Sequence, residues 1–336
     1  MSDQREQLLN LVYLRYEEAP EFLSVSGIST QMRIQLDASL GAELGDDGGD
    51  TTLLGSPAVG VGYSESPTIT YIPQRDESFT RQLVAPVELD NIYLLTQYGW
   101  ELERVLTLLV SRLNQQSFQS RQYRDLVLTL GSLQAQGLIS VESVRRREAV
   151  SPPISAEGLG ASSFINAIEK GYRFEHKSEG YILTENVLHY TLSLNPDAWK
   201  NGDLATLAAN FKLKPNVASY ELDPTPSENP NAIALTTRSV LGVMKYLSGA
   251  VSVPAAHADF VRNISSPPDQ MLNVRVAERP VDDAFLSVHY RNHWYYVADD
   301  DVDSKKTLGL LTSLVRLNIT TGGVQNLPVL TLPVGR

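Results

Sequence analysis

Between Ile28 and Leu40 the sequence alternates without a break: Ile28, Thr30, Met32, Ile34, Leu36, Ala38 and Leu40 against Ser29, Gln31, Arg33, Gln35, Asp37 and Ser39. Successive side chains of an extended chain project to opposite sides, so this run is a long strand with one dry and one wet face. The phase slips at Ser26-Gly27 relative to Leu23 and Val25, which places a bulge there. The loop Gly45-Asp46-Asp47-Gly48-Gly49-Asp50 returns the chain to a partner strand around 58–63, with another at 68–72. A dry face needs cover, and the expectation is a sheet with helices packed on it. The other use of such a strand is a hairpin lent by each subunit of an oligomer to a membrane barrel, because ~9 to 11 alternating residues span a bilayer. The apolar face lacks aromatic girdles, and Gly60 and Gly62 suit close packing, so the covered sheet is preferred. Either way, the length of the strand leaves an edge available to another chain.

Elsewhere the period is helical or mixed. Leu8, Leu9, Leu11, Val12 and Tyr16 recur at helical spacing after Asp3 and Glu6, giving an amphipathic helix over 3–17 that Pro20 ends. Further helices are expected at 77–84, 89–98, 100–113 and 120–136, the last closed by Gly137, and a strand at 138–141. Residues 145–163 change character, with Pro152-Pro153, Gly158 and Gly160 among small and polar residues. Beyond them come a helix at 163–170, a hairpin of 172–176 and 180–184, a strand at 188–194 and a helix at 202–210. Pro224, Pro226 and Pro230 define an extended loop before a helix at 237–247. A hairpin of 284–290 and 293–298, a helix at 302–317 and a strand at 329–334 complete the chain. The expected fold is α+β, with mixed or antiparallel sheets, helices on one face, and two lobes: 1–147 (long strand 28–40, helices 77–136) and 164–336, joined by a linker at 148–163.

Composition removes several classes of function. A formal charge of -11 argues against a basic face for nucleic acid. The cluster Arg145-Arg146-Arg147 is flanked by Glu142 and Glu148 and reads as a solvated surface. With no cysteine there is no disulfide, thiolate nucleophile or thiolate metal site. No apolar run approaches the ~20 residues of a membrane helix, and residues 1–5 do not lead into a signal-peptide apolar segment, so the chain as given reads as soluble.

The strongest chemical signal is Asp299-Asp300-Asp301-Val302-Asp303, which follows the aromatic run His293-Trp294-Tyr295-Tyr296. Asp299, Asp301 and Asp303 have the spacing of the first ligands of a calcium loop, but Ser304 stands where that loop needs glycine and Leu310 where it needs glutamate. The preferred reading is a helix start, in which Asp301 or Asp303 accepts hydrogen bonds from free backbone N–H groups. His289 and His293 flank the tight Arg291-Asn292 turn, which would bring their rings near each other, and with Asp299 they are the alternative metal set. His176, His189 and His257 stand isolated, no serine sits on a glycine-flanked elbow, and Gly158-Leu159-Gly160-Ala161-Ser162 lacks the strand and lysine of a phosphate loop. No metal or cofactor is assigned.

Leu14-Arg15-Tyr16, Pro20 and Phe22-Leu23 resemble the opening of a family of uncharacterised bacterial envelope proteins, often lipoproteins. The likeness recurs over 123–139, over 288–311 with Tyr290-Arg291, Trp294-Tyr295-Tyr296 and Asp303-Ser304-Lys305, and at Pro328-Val329-Leu330-Thr331-Leu332-Pro333-Val334-Gly335. The resemblance implies an exported protein held to a membrane by a lipidated N-terminal cysteine, a residue this sequence lacks. It brings no established activity and no catalytic residues. The expected function is therefore that of a non-catalytic envelope or surface protein, binding protein partners or itself through sheet edges. The alternative is a metal-dependent or other hydrolase with its site near 289–303.

Overall fold

A computed structural model describes residues 3–43, 54–73, 77–155, 160–226, 228–264, 267–268 and 271–321, with the backbone alone over 23–43 and 54–73. They form two compact units, one of Met1–Pro20 with Glu77–Arg336 and the other of Glu21–Asp76.

The smaller unit is a ribbon of two strands, β1 (Leu23–Glu43) and β2 (Leu54–Pro73). They pair antiparallel along their whole length, with one register shift, between Val25 and Gly27, where the sequence places its bulge. The two short partner strands expected at 58–63 and 68–72 are one continuous β2. The register puts the alternation of the two strands in phase. Ile28 with Ile69, Ile34 with Tyr63, Leu36 with Val61 and Ala38 with Val59 share one face, while Ser29 with Thr68, Gln31 with Ser66 and Arg33 with Ser64 share the other. Among the described residues neither strand pairs with a third and the unit contains no helix. The helical cover expected for this dry face is therefore not part of the unit, a correction that hydrophobic pattern could not supply, since it marks a dry face without saying what meets it.

The larger unit begins with α1 (Asp3–Arg15), which carries Asp3 and Glu6 in its first turn and buries Leu8, Leu11 and Val12. Then come α2 (Glu77–Val84), α3 (Leu89–Gln97), α4 (Leu102–Leu109), β3 (Val110–Leu113), β4 (Gln116–Ser117), α5 (Arg121–Ala135) and β5 (Ile139–Ala149). Ser120 caps α5 by accepting from Tyr123 N at 3.1 Å, and Gly137, at φ 70°, ends it in a left-handed turn. After α6 (Ala161–Glu169) follow β6 (Arg173–Lys177), β7 (Gly180–Leu194), α7 (Gly202–Asn210), β8 (Ser219–Asp223), β9 (Ala232–Thr237) and α8 (Val240–Ser248). The last elements are β10 (Arg275–Ala277), β11 (Ala284–Tyr290), β12 (His293–Ala298) and α9 (Val302–Thr321). The strand expected at 329–334 lies outside the described residues.

A seven-stranded sheet runs β4-β3-β9-β8-β7-β5, with β6 also on β7. Among the described strands of this sheet only β8 and β9 pair parallel, so the sheet is mixed and the fold is α+β. One face is dry. Val141, Leu192, Leu222, Ile233 and Leu235 meet Ile92, Leu102, Leu106 and Leu130 of α3, α4 and α5 around a void of about 20 Å³. That is helix cover on one face.

The division expected at 148–163 falls inside this sheet, because β3 pairs with β9 and β5 pairs with β7 across it. β5 also continues through Arg145-Arg146-Arg147, and the chain after it stays strapped to β7: Ile154 and Tyr181 exchange backbone hydrogen bonds at 2.7 and 2.9 Å. Gly180 permits this, since a Cβ there would stand 2.6 Å from Ile154 O. Prolines and glycines mark a surface loop and a linker alike, and here they mark the loop.

A second sheet, β10-β12-β11, packs β11 against α1, while α9 packs on α1, α2, α3 and α8 through the buried Leu308, Leu311 and Leu314. Among the described residues no helix is long and apolar enough to cross a membrane.

Candidate functional site

The acidic stretch sits where β12 gives way to α9, and each candidate aspartate has its own partner. Asp301 is the cap: its Oδ1 accepts from Ser304 N at 3.0 Å and its Oδ2 from Ser304 Oγ at 2.7 Å. Ser304 is buried, and its Oγ accepts in turn from Asn273 N at 2.9 Å, which ties the helix start to the chain before β10. Asp299 pairs with Lys305 at 2.6 Å, and Asp303 with Arg104 of α4 at 2.6 Å. Lys306 reaches back to Glu101 at 2.6 Å, and that hydrogen bond holds the Glu101 carboxyl below its ordinary range. Among the described residues, no three His, Asp or Glu side chains converge as a metal shell. Substituting Asp301→Ala is expected to lower the unfolding free energy by ~1 kcal/mol, and Asp301→Asn by less, as read from urea midpoints.

His289 and His293 are not brought together. Register pairs His289 with Trp294 and Tyr290 with His293, so the two imidazoles occupy opposite faces of the hairpin. The His289 ring lies 5.0 Å from Trp294, and the His293 ring 5.0 Å from His257, which sequence reading leaves isolated. Alternation across a two-residue turn decides this: residues flanking it four apart, at 289 and 293, cannot share a face once 290 pairs with 293.

The turn residues Arg291 and Asn292 both have positive φ, 46° and 63°, and the conformation directs Arg291 back over the aromatic residues. Its guanidinium lies 4.7 Å from the Tyr16 ring, 5.5 Å from Tyr290 and 5.8 Å from Phe260. It pairs with Glu18 at 2.7 Å, and Tyr290 Oη donates to the same carboxylate. Burial first, and then that hydrogen bond, push the Tyr290 phenol above its ordinary value. Behind it Tyr16 Oη is 2.7 Å from His257 Nδ1 and 2.6 Å from the buried Tyr295 Oη. The cluster fastens the end of α1 to the β11–β12 hairpin, and the chain's own arginine fills its aromatic box. Tyr16, Tyr290, Arg291 and Tyr295 come from the motifs Leu14-Arg15-Tyr16, Tyr290-Arg291 and Trp294-Tyr295-Tyr296, which are the signal for it in the sequence.

Sequence reasoning also misses a cleft of about 670 Å³ between the start of α3 and strands β7 and β8, lined among others by Glu88, Asp90, His189, Tyr190, Glu221 and Asp223. His189 Nδ1 is 2.7 Å from Glu221 Oε1. Its Nε2 is 2.8 Å from Glu148 Oε1 but not aligned as a hydrogen bond. Tyr190 Oη donates to Asp90 Oδ1 at 2.7 Å, and burial, reinforced by that bond, raises its phenol. The groups join β5, β7, β8 and α3, the phenol committed to Asp90, the imidazole to its acids, and Glu221 also to Arg146 at 3.3 Å. They lie on strands distant in sequence, so no spacing announces them.

No protein-family model, no curated protein and no solved structure matches this chain.

Proposed function

We propose that the chain is a non-catalytic structural and protein-binding component of an assembly at the bacterial cell envelope. The observation that supports this reading best is the β1–β2 ribbon, which stands as a unit of its own with strands of 21 and 20 residues and, among the described residues, no third strand on either edge. Strands of globular proteins usually run ~3 to 10 residues, and an isolated two-stranded ribbon is marginal in water. Such an element is explained by pairing with another chain, through main-chain hydrogen bonds along an edge. The envelope part of the proposal rests on the family resemblance. In the larger unit the chemistry-bearing side chains serve as fastenings: Asp301 caps a helix, Asp303 and Arg104 join two helices, and Arg291 fills an aromatic box.

Light scattering coupled to size exclusion tests the proposal. The full chain should elute at a multiple of its 37.1 kDa mass. A variant with residues 23–73 replaced by a short Gly-Ser connection should elute as a monomer with the helical circular dichroism of its larger unit retained. A full chain that stays monomeric across micromolar concentrations contradicts it.

A further inference from the structure

We infer that several copies of this chain pair their β1–β2 ribbons edge to edge into a closed barrel that spans a lipid bilayer, the apolar face of every ribbon turned to lipid. The inference rests on the assembly reading above and names the partner as further copies of the same chain.

Self-complementarity of the ribbon carries the first half. Its two free edges belong to strands of nearly equal length, 21 and 20 residues, running antiparallel. The outer edge of β1 in one copy therefore finds in β2 of the next an antiparallel partner that matches it end to end, and repetition of this head-to-tail contact closes a ring. Closure removes every edge, the one arrangement of a two-stranded element that leaves no backbone N–H or C=O unpaired at a rim of the sheet. Pro57 and Pro67 lack an N–H, so each interrupts the ladder at a single position without ending the strand, which runs through both. A barrel needs about eight strands or more, hence at least about four copies.

Dimensions carry the second half. From the pair Ile34–Tyr63 through Leu36–Val61, Ala38–Val59 and Leu40–Pro57 to Ala42–Gly55, one face holds no charged residue. That is roughly nine residues a strand, which at ~3.3 Å rise and ~40° tilt covers ~23 Å, against the ~25 Å apolar band of membrane barrels. The first charge on this face, Glu65 opposite Met32, falls one pair beyond Tyr63, the place where an aromatic residue marks an interface. The opposite face over the same span carries Gln35 with Gly62, Asp37 with Gly60, Ser39 with Ala58 and Gly41 with Ser56, small and polar as a water-filled lumen requires. A soluble pair of ribbons stacked on their apolar faces would bury the same residues but would leave four long edges open.

The absence of cysteine makes the test direct, since single cysteines introduced in the full chain can be labelled uniquely. Ile34→Cys, Leu36→Cys and Ala38→Cys, and separately Gln35→Cys, Asp37→Cys and Ser39→Cys, are to be labelled with an environment-sensitive fluorophore. Each is mixed with phosphatidylethanolamine–phosphatidylglycerol vesicles loaded with a small dye. The expected result is a several-fold rise and blue shift at positions 34, 36 and 38, quenched by lipid-borne quencher, little change at 35, 37 and 39, and dye release. An oligomer whose labels ignore vesicles, or that shows the alternation already in water, overturns the barrel while leaving the assembly reading intact. A monomer with and without vesicles overturns both.

Discussion

Replacing Arg238 by alanine is expected to lower the unfolding free energy by ~3–5 kcal/mol, and Arg238→Lys to recover less than half of that loss. The residue closes the junction where α4 turns into β3. Its Nη1 donates to the carbonyls of Thr107, Leu108 and Val110 at 3.2, 2.9 and 2.8 Å, and its backbone N donates to Leu109 O at 2.6 Å. The buried Tyr123 Oη donates its one proton between Leu106 O and Val110 O, 2.9 and 3.0 Å away. Two side chains and one amide thus satisfy the final carbonyls of a helix that ends inside the core, where water cannot. The charge has no carboxylate partner among the described residues. It is held by the negative end of α4 and by the rings of Phe118 and Tyr246, each 4.5 Å from the guanidinium carbon. Burial lowers the pKa of this arginine from its ordinary value, yet a guanidinium starts so high that it stays charged. Alanine removes the guanidinium from both rings and takes the Arg238 donor from the carbonyls of Thr107 and Leu108, leaving Val110 O to Tyr123. Lysine keeps the charge but lacks the broad guanidinium that contacts both rings while its Nη1 reaches the carbonyls. Urea unfolding of the two variants checks this, and a lysine variant as stable as the parent would refute the geometry.

This junction also shows where local sequence stops being informative. Helical period over 100–113 is continuous, so nothing marks Val110 as the place where α4 becomes β3. The decision belongs to β9, which pairs with β3 from more than a hundred residues away, and to Arg238 just beyond it. β9 itself, Ala232–Thr237, is an apolar run without alternation because it is buried within the sheet, and β8 pairs with it in parallel across a proline-rich loop. Neither strand was legible. The ribbon was, down to the bulge near Gly27, because alternation over so many residues has one geometric meaning. The hairpin of β11 and β12 was legible too, since its turn lies between two aromatic and aliphatic strands. The sites divide in the same way. A cap such as Asp301 acts three residues along its own chain and can be read locally, whereas His189 meets Glu148 and Glu221 only after three strands have assembled.

Asp303 provides the sharper test of how the acidic stretch is divided, because its partner is buried and that of Asp301 is a backbone amide on its own helix. The Arg104 side chain is 6% exposed, and its Nη2 donates to Asp303 Oδ1 at 2.6 Å. Its Nη1 reaches Asp303 O and Thr307 Oγ1 at 3.1 and 2.6 Å. Its Nε, 3.5 Å from Glu101 Oε2, makes no hydrogen bond. The guanidinium faces the first turn of α9, whose free N–H groups form the positive end of a helix dipole, so the carboxylate of Asp303 is what makes a cation tolerable there. Asp303→Ala should therefore cost ~2–3 kcal/mol, more than the loss of the cap, even though the carboxylate itself is half in solvent. Arg104→Met in the same background should restore part of that loss, because it removes the stranded charge and keeps an apolar stem of similar length in the same buried position. The double-mutant cycle then gives a favourable coupling of ~1–2 kcal/mol. If Asp303→Ala proves milder than Asp301→Ala, or the second substitution adds its full cost to the first, Arg104 does not depend on this carboxylate and the contact between α4 and α9 is held by packing alone.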